Sequence, residues 1–237
     1  TGFFTSREKA ESHIRAGARR VLVSAPSDGA DKTIVFKVNH DTLTADDVVV
    51  SNGSCTTNVL APVAKVLNDL CGIERGYMTT VHAYTGDQPT QDTVHKDLYR
   101  ARAAALSMIP TSTGAANAIG RVLPELKGKL HGSSIRVPTP NVSVIDLAVS
   151  TSREVSIDEV NDAIRQTAAG AMSGVLAFTT EPLVSVDLNH RTESSIVALP
   201  QTDVVDGRMV RVLAWYDNEW SFATRMADTA VAMAKLI

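Results

Sequence analysis

The stretch Ser51-Asn52-Gly53-Ser54-Cys55-Thr56-Thr57-Asn58 marks where the chain changes character. Before it, short β-rich runs alternate with helical pieces. After it, Val59, Leu60, Val63, Val66, Leu67 and Leu70 recur at helical spacing. Cys55 is therefore expected after a strand and at the start of a helix. A helix N-terminus presents unpaired N–H groups and a positive dipole end, which favour thiolate over thiol. A thiolate there is a ready nucleophile. The same place also suits a small buried apolar residue beside a cap, and position alone leaves both readings open. Pro62 interrupts the apolar run and predicts a kink or a disturbed first turn.

Upstream, Thr5 and Glu8 have capping-box spacing ahead of a short helix over 6–16 that ends at Gly17. Strands are expected at 20–23, 33–38 and 48–51, with turn residues over 26–31. Strands alternating with helices suggest a parallel sheet with crossovers. The chain opens Thr1-Gly2-Phe3-Phe4 without methionine and goes straight into a helix, so it reads as the middle of a longer protein.

Downstream, a strand is expected over 77–84, followed by a polar loop over 85–102 rich in Asp, His, Lys and Arg. A Gly/Ser/Thr turn at 111–114 leads into a helix ending near Leu123. Strands follow at 135–137 and 142–150. Ser156 and Glu159 repeat the capping-box spacing before a helix to about Ala169. Several strands lie between Val175 and Tyr216, and a final helix runs from about Glu219 to Ile237. The whole reads as α/β and α+β: the end of a doubly wound domain, an α+β domain with a mostly antiparallel sheet, then a closing helix. The expected boundaries are 1–54, 55–218 and 219–237.

The bulk numbers exclude several classes. Of 237 residues, 44% are apolar and 21% charged, ordinary for a globular chain. A net charge of -3 disfavours a nucleic-acid partner. Two cysteines are too few for a disulfide scaffold and fit a reducing, cytoplasmic compartment. No apolar run approaches the roughly 20 residues of a membrane helix, and no secretory pattern opens the chain.

A cysteine nucleophile usually works with a base. Among six histidines, His82 ends an apolar strand and enters the polar loop, a common position for a catalytic side chain. A lone histidine is also often structural. Anion-binding types gather nearby. Arg100 and Arg102 flank an expected helix start, and Arg136 ends an apolar strand. Thr113 and Gly114 open a helix after a Ser/Thr-rich turn, and Thr85 follows His82 closely. Singly these are weak; together they suggest a phosphorylated substrate. No G-x-G-x-x-G occurs, so the dinucleotide fingerprint cannot be invoked.

At this point the chain resembles the glyceraldehyde-3-phosphate dehydrogenase family, of the bacterial phosphorylating type. The likeness rests on Ser54-Cys55-Thr56-Thr57-Asn58, His82-Ala83-Tyr84-Thr85-Gly86-Asp87-Gln88 and Arg100-Ala101-Arg102-Ala103-Ala104-Ala105. It continues through Pro110-Thr111-Ser112-Thr113-Gly114-Ala115-Ala116, Arg136-Val137-Pro138-Thr139-Pro140-Asn141 and Trp215-Tyr216-Asp217-Asn218-Glu219-Trp220. These motifs occur in family order along nearly the whole chain.

The resemblance implies NAD-dependent oxidative phosphorylation of glyceraldehyde 3-phosphate to 1,3-bisphosphoglycerate. Cys55 would attack the aldehyde, and His82 would support the thiolate as an ion pair and take the hydroxyl proton. Ser54, Thr56, Thr85, Arg100, Thr113, Gly114 and Arg136 fall where substrate phosphate and inorganic phosphate bind. Asn218 would hold the nicotinamide amide. A cytoplasmic homotetramer without a metal is implied, its first domain a Rossmann-type NAD-binding unit. The family's glycine-rich start lies before Thr1, so a truncated parent is expected, and this chain alone is expected to bind NAD weakly or not at all. Two other readings stand beside this one: erythrose-4-phosphate dehydrogenase, a sister activity, and a non-catalytic assembly module. Departures from the pattern are Gly53 for a usual alanine and Val59 where many members carry a second cysteine. Ser221-Phe222-Ala223 and Arg191-Thr192 also depart.

Overall fold

Alternation along the long strands decides which face becomes core. In the computed structural model, which describes residues 2–236, Met78, Thr80 and His82 are buried along one side of strand β4 (Ile73–Ala83). Val210, Val212, Ala214 and Tyr216 do the same in β11 (Met209–Tyr216), and Ile145, Leu147 and Val149 in β7 (Ser143–Thr151). A period of two puts each set on one face of the sheet. That face receives helix α2 (Cys55–Cys71), flanked by α3 (Ala115–Val122) and α4 (Ile157–Ala169).

The large sheet has the order β5-β6-β4-β7-β11-β9-β8, with β10 (Asp203–Val205) paired to β11. Here β5 is Ile109–Ser112, β6 Leu130–Val137, β8 Leu176–Thr179 and β9 Ser195–Ala198. Only β4–β6 and β8–β9 are parallel; the other pairings are antiparallel. The expected mostly antiparallel α+β sheet is observed. A second, three-stranded parallel sheet, β1-β3-β2, carries α1 (Arg7–Arg15). Its strands are β1 (Val21–Val23), β2 (Lys32–Thr33) and β3 (Val49–Ser51).

Helix α2 is buried almost all round, from Thr56 to Leu67, save a half-buried Lys65. A helix buried on every side must be sandwiched. Each fully covered Val or Leu contributes about 1.5–3 kcal/mol. Pro62 sits inside this helix, which runs uninterrupted across it. The packing of the surrounding turns outweighs the lost N–H bond.

Other expectations need correction. The cap of α1 is Ser6, which accepts from the Lys9 N–H, so Thr5 and Glu8 form no capping box. The strand expected over 33–38 stops at Thr33. Asn39 is the reason: its buried amide donates to Thr33 O at 2.9 Å and accepts from Val35 N at 2.8 Å, so the backbone turns instead. Ile109–Ser112 forms an edge strand where only a turn was expected. The strand expected from residue 77 begins at Ile73, and that expected over 135–137 begins at Leu130.

The last helix, α5 (Trp220–Ala234), packs on the three-stranded sheet; its expected last residue, Ile237, lies outside the described residues. Met233 joins Ile34, Leu43 and Val50 in one cluster. Arg20 donates to Met233 O at 2.8 Å and Leu236 O at 3.0 Å. Thr229 Oγ1 donates to Asn52 Oδ1 at 2.8 Å.

Gly76 lies in β4, between β6 and β7. A Cβ there would stand 2.7 Å from Val149 Cγ1, 2.8 Å from Ala148 O and 2.8 Å from Leu130 Cδ2. Gly76→Ala is therefore expected to cost about 1–3 kcal/mol through overpacking. An unchanged urea midpoint would contradict this.

Candidate active site

Cysteine and histidine meet because two periodicities agree. His82 ends the α2-facing row of β4, and Cys55 is the first residue of α2. Cys55 Sγ lies 3.4 Å from His82 Nε2. Ser54 caps the helix, its hydroxyl accepting from Thr57 N at 3.0 Å. Gly53 makes the turn into it with φ +67°, its N–H donating to Ser51 Oγ at 3.0 Å.

Tyr216, on the same face of β11, fixes this junction from below. Its hydroxyl lies 3.0 Å from Thr56 Oγ1 and 2.9 Å from Thr80 Oγ1. Its ring meets the His82 ring edge-on, centroids 5.8 Å apart. Burial drives the phenol pKa up, so Tyr216 stays protonated. The sequence reading missed this residue; its signal was only a buried-parity tyrosine at a strand end. The Thr56 hydroxyl, expected at a phosphate, is engaged by Tyr216.

Arg136 stands opposite His82 in the parallel β4–β6 register. Its Nη1 lies 2.9 Å from Ala83 O, 3.0 Å from Thr85 Oγ1 and 2.9 Å from His82 Nδ1. His82 Nδ1 is also 2.7 Å from Ala83 O. For a neutral imidazole one assignment satisfies every group. Nδ1–H donates to Ala83 O, the two Nη1 hydrogens go to Ala83 O and Thr85, and bare Nε2 faces Cys55. Arg136 Nε is buried without a partner, so the guanidinium keeps donor capacity for an anion.

Electrostatics follow from this packing. Desolvation, then the nearby Arg136 charge, lowers the His82 pKa from 6.5 to about 4. Burial pushes the Cys55 thiol up, opposed by Thr56 donors and Arg136. In the unliganded pocket burial disfavours thiolate and imidazolium alike, while the Arg136 charge favours the thiolate and opposes the imidazolium.

Thr85 Oγ1 donates to Asp87, and Asp87 pairs with Arg100. Arg100 therefore reaches the site through Asp87. Arg102 pairs with Asp92 at 3.0 Å. Neither arginine flanks a helix; residues 84–108 form turns and bends, with Asp92 accepting from Ala103 N at 2.8 Å.

Thr113 and Gly114 precede α3. Since Ile109 pairs with Arg136 and Ser112 with Ser133, Thr113 begins about 13 Å along the strand from Arg136. Among the described residues, no hydrogen bond joins Thr113 or Gly114 to Cys55, His82 or Arg136. Asn218, two residues past the end of β11, bonds to Ser143.

Comparison with known proteins follows the same residues. Residues 54–218 match the family model described as glyceraldehyde 3-phosphate dehydrogenase, C-terminal domain. The chain belongs to the glyceraldehyde-3-phosphate dehydrogenase family. The enzyme of that name from Cereibacter sphaeroides is 68% identical over 237 residues, covering 100% of this chain and 71% of that protein. The one from Xanthobacter flavus is 67% identical over 236 residues, covering 100% of this chain and 70% of that protein. The one from Pseudomonas aeruginosa is 56% identical over 234 residues, covering 99% and 69%. Family membership makes the chain an oxidoreductase. The erythrose-4-phosphate and non-catalytic readings are not favoured by these matches.

Two family departures gain a physical account. Gly53 has φ +67°, yet a Cβ there would meet Thr57 at an ordinary 3.4 Å. Glycine relieves backbone strain rather than a clash. Val59 is fully buried, and the remaining thiol, Cys71, closes the other end of α2. Sixteen residue steps separate Cys71 from Cys55, roughly 24 Å of helix, beyond any disulfide. The other departures, Arg191-Thr192 and Ser221-Phe222-Ala223, have no functional explanation in the structure.

Two outcomes are expected. After peroxide, mass spectrometry should find no Cys55–Cys71 disulfide; such a peptide would refute the geometry. In Arg136→Gln, the His82 titration followed by NMR should move upward from about 4, because a neighbouring cation is removed; a fixed or lower value would refute the Arg136 effect. The lowered pKa also has a stability sign. The unfolded chain binds the proton better, so His82's contribution of about 3 kcal/mol is complete above about pH 6.5 and lost as pH falls towards 4.

Proposed function

We propose that the chain carries the catalytic machinery for NAD-dependent oxidation and phosphorylation of glyceraldehyde 3-phosphate, giving 1,3-bisphosphoglycerate. The observation that carries the mechanism is Cys55 Sγ at 3.4 Å from Nε2 of His82. As Sγ attacks the aldehyde carbon, its proton passes to Nε2. The new oxyanion faces N–H groups at the start of α2 and the His82 imidazolium. Imidazolium returns the proton to oxygen, giving a neutral hemithioacetal.

NAD, when bound, supplies the hydride acceptor for this carbon. Asn218 supports its fit: Oδ1 is held by Ser143, while Nδ2 has only a 3.3 Å bond to Glu219 and keeps donor capacity for a nicotinamide carbonyl. A cleft of about 410 Å³ bordered by Tyr84, Thr85, Pro140 and Glu219 lies beside it. His82 takes the hydroxyl proton as the thioester carbonyl forms. Inorganic phosphate then attacks that carbonyl, and Cys55 leaves as thiolate beside imidazolium. Arg136, with its unpartnered Nε, is the anion anchor, joined by Thr85 and Arg100 once Asp87 yields them. Ser54 and Thr56 at the start of α2, and Thr113 and Gly114 ahead of α3, complete the phosphate sites.

The three-stranded parallel sheet supports reading 1–54 as the end of the NAD-binding domain, with 55–218 catalytic and 219–237 returning to that domain. A homotetramer is supported by exposed apolar Val94, Leu98, Tyr99, Leu106 and Met108 in one segment. Among the described residues, no helix is long and apolar enough to cross a membrane. Two free cysteines support a reducing, cytoplasmic setting.

The test is kinetic. His82→Asn should lower kcat by about 10²–10⁴-fold with little change in KM for glyceraldehyde 3-phosphate. The acyl-enzyme trapped without phosphate should map to Cys55. A thioester on Cys71, or faster turnover of erythrose 4-phosphate, would overturn this function.

A further inference from the structure

Residues 141–143 carry backbone strain that needs a reason. Val142 is β-branched and buried, yet its φ is +68°. This corner aims its two neighbours at one target. Asn141 Nδ2 donates to Asp217 Oδ2 at 2.9 Å, and Ser143 Oγ donates to Asn218 Oδ1 at 2.8 Å. The Asp217 carboxylate also accepts from the N–H groups of His190, Glu219 and Trp220, so the turn bearing Asn218 is fixed from both sides.

Ser143 is almost completely buried and has a second contact. The β4–β7 ladder ends at Val81 opposite Val144, so Ala83 N has no strand partner there. It donates to Ser143 Oγ at 3.0 Å. A hydroxyl has one proton. Tyr216 also lies within reach of Ser143, but its hydroxyl is engaged by Thr56 and Thr80, so the Ser143 proton goes to Asn218 Oδ1 at 2.8 Å. The amide is thereby oriented with Nδ2 outward. Ala83 is also the residue whose carbonyl receives His82 Nδ1–H.

We propose that Ser143 is a positioning residue that sets the orientation of the Asn218 amide and ties it to Ala83, the residue that orients His82. It makes Asn218 an N–H donor, fitted to the carbonyl rather than the amino group of a carboxamide cofactor. This inference rests on Asn218 as the nicotinamide contact.

The test compares NAD with ADP-ribose, which lacks nicotinamide, as titrants of the full-length enzyme. Asn218→Ala should weaken NAD about tenfold and leave ADP-ribose within about twofold. Ser143→Ala should do the same, because its amide loses the orienting bond. The double variant should be no weaker than Asn218→Ala alone. Should Ser143→Ala not fold, Ser143→Cys, which donates weakly, is expected to give the same pattern. Additive losses, or equal losses for ADP-ribose, would overturn the coupling and leave the Asn218 contact standing. An Asn218→Ala variant with unchanged NAD affinity would overturn both.

Discussion

The burial of the α2 N-terminus is the constraint from which the site follows. An N-terminus taken out of water must find partners for its unpaired N–H groups. Ser54 serves one of them, and Thr56 is tied by its hydroxyl to Tyr216. The Thr56 N–H is directed at the Cys55 sulfur. Because the helix is covered on nearly every side, its first residue can reach only the strand ends beneath it. His82 and Tyr216 end two of those strands on the facing side. The meeting of Cys55, His82 and Tyr216 is therefore a consequence of one packing decision.

The same burial creates an electrostatic conflict that the chain uses. Arg136 is close enough to suppress protonation of His82, and it is also the group best suited to an anion. A bound phosphate offsets the guanidinium charge, so the imidazole becomes easier to protonate when phosphate is present. With Arg136 proposed as the anion anchor and His82 as the base, substrate binding and base strength would be coupled through one side chain. Asp87 plays an opposing part on the rim, occupying Thr85 and Arg100 with a carboxylate of the protein's own.

Much of this was legible in the sequence, for definable reasons. Helical periodicity placed Cys55 at a helix start, and alternation put His82 at a strand end. The Ser156–Glu159 box appears as expected, because its partners are local. What could not be read depends on distant partners. Asn39 ends a strand by bonding across a turn, and the edge strand β5 exists only because β6 lies beside it. Pro62 suggested a break that surrounding packing overrides. Tyr216 and Ser143 act through strands remote in sequence, so nothing near them announces a role. The lowered basicity of His82 likewise depends on burial and on Arg136, 54 residues beyond it.

The glycines in the centre of the large sheet reach further than local packing. Gly76 lies against Leu130, and Gly132 against Met78, in adjacent strands. Each strand offers a notch where the other offers bulk, so β4 and β6 mesh like the teeth of a rack. Sliding by the smallest step that preserves the faces, two residues or roughly 7 Å, would set Met78 against Leu130 in one direction and leave Gly76 facing Gly132 across a gap in the other. Six residues up the same strands, that step would carry His82 away from Arg136. The alignment of a proton acceptor with its neighbouring cation is thus gauged at the opposite end of the strand, by two residues that have no side chains at all.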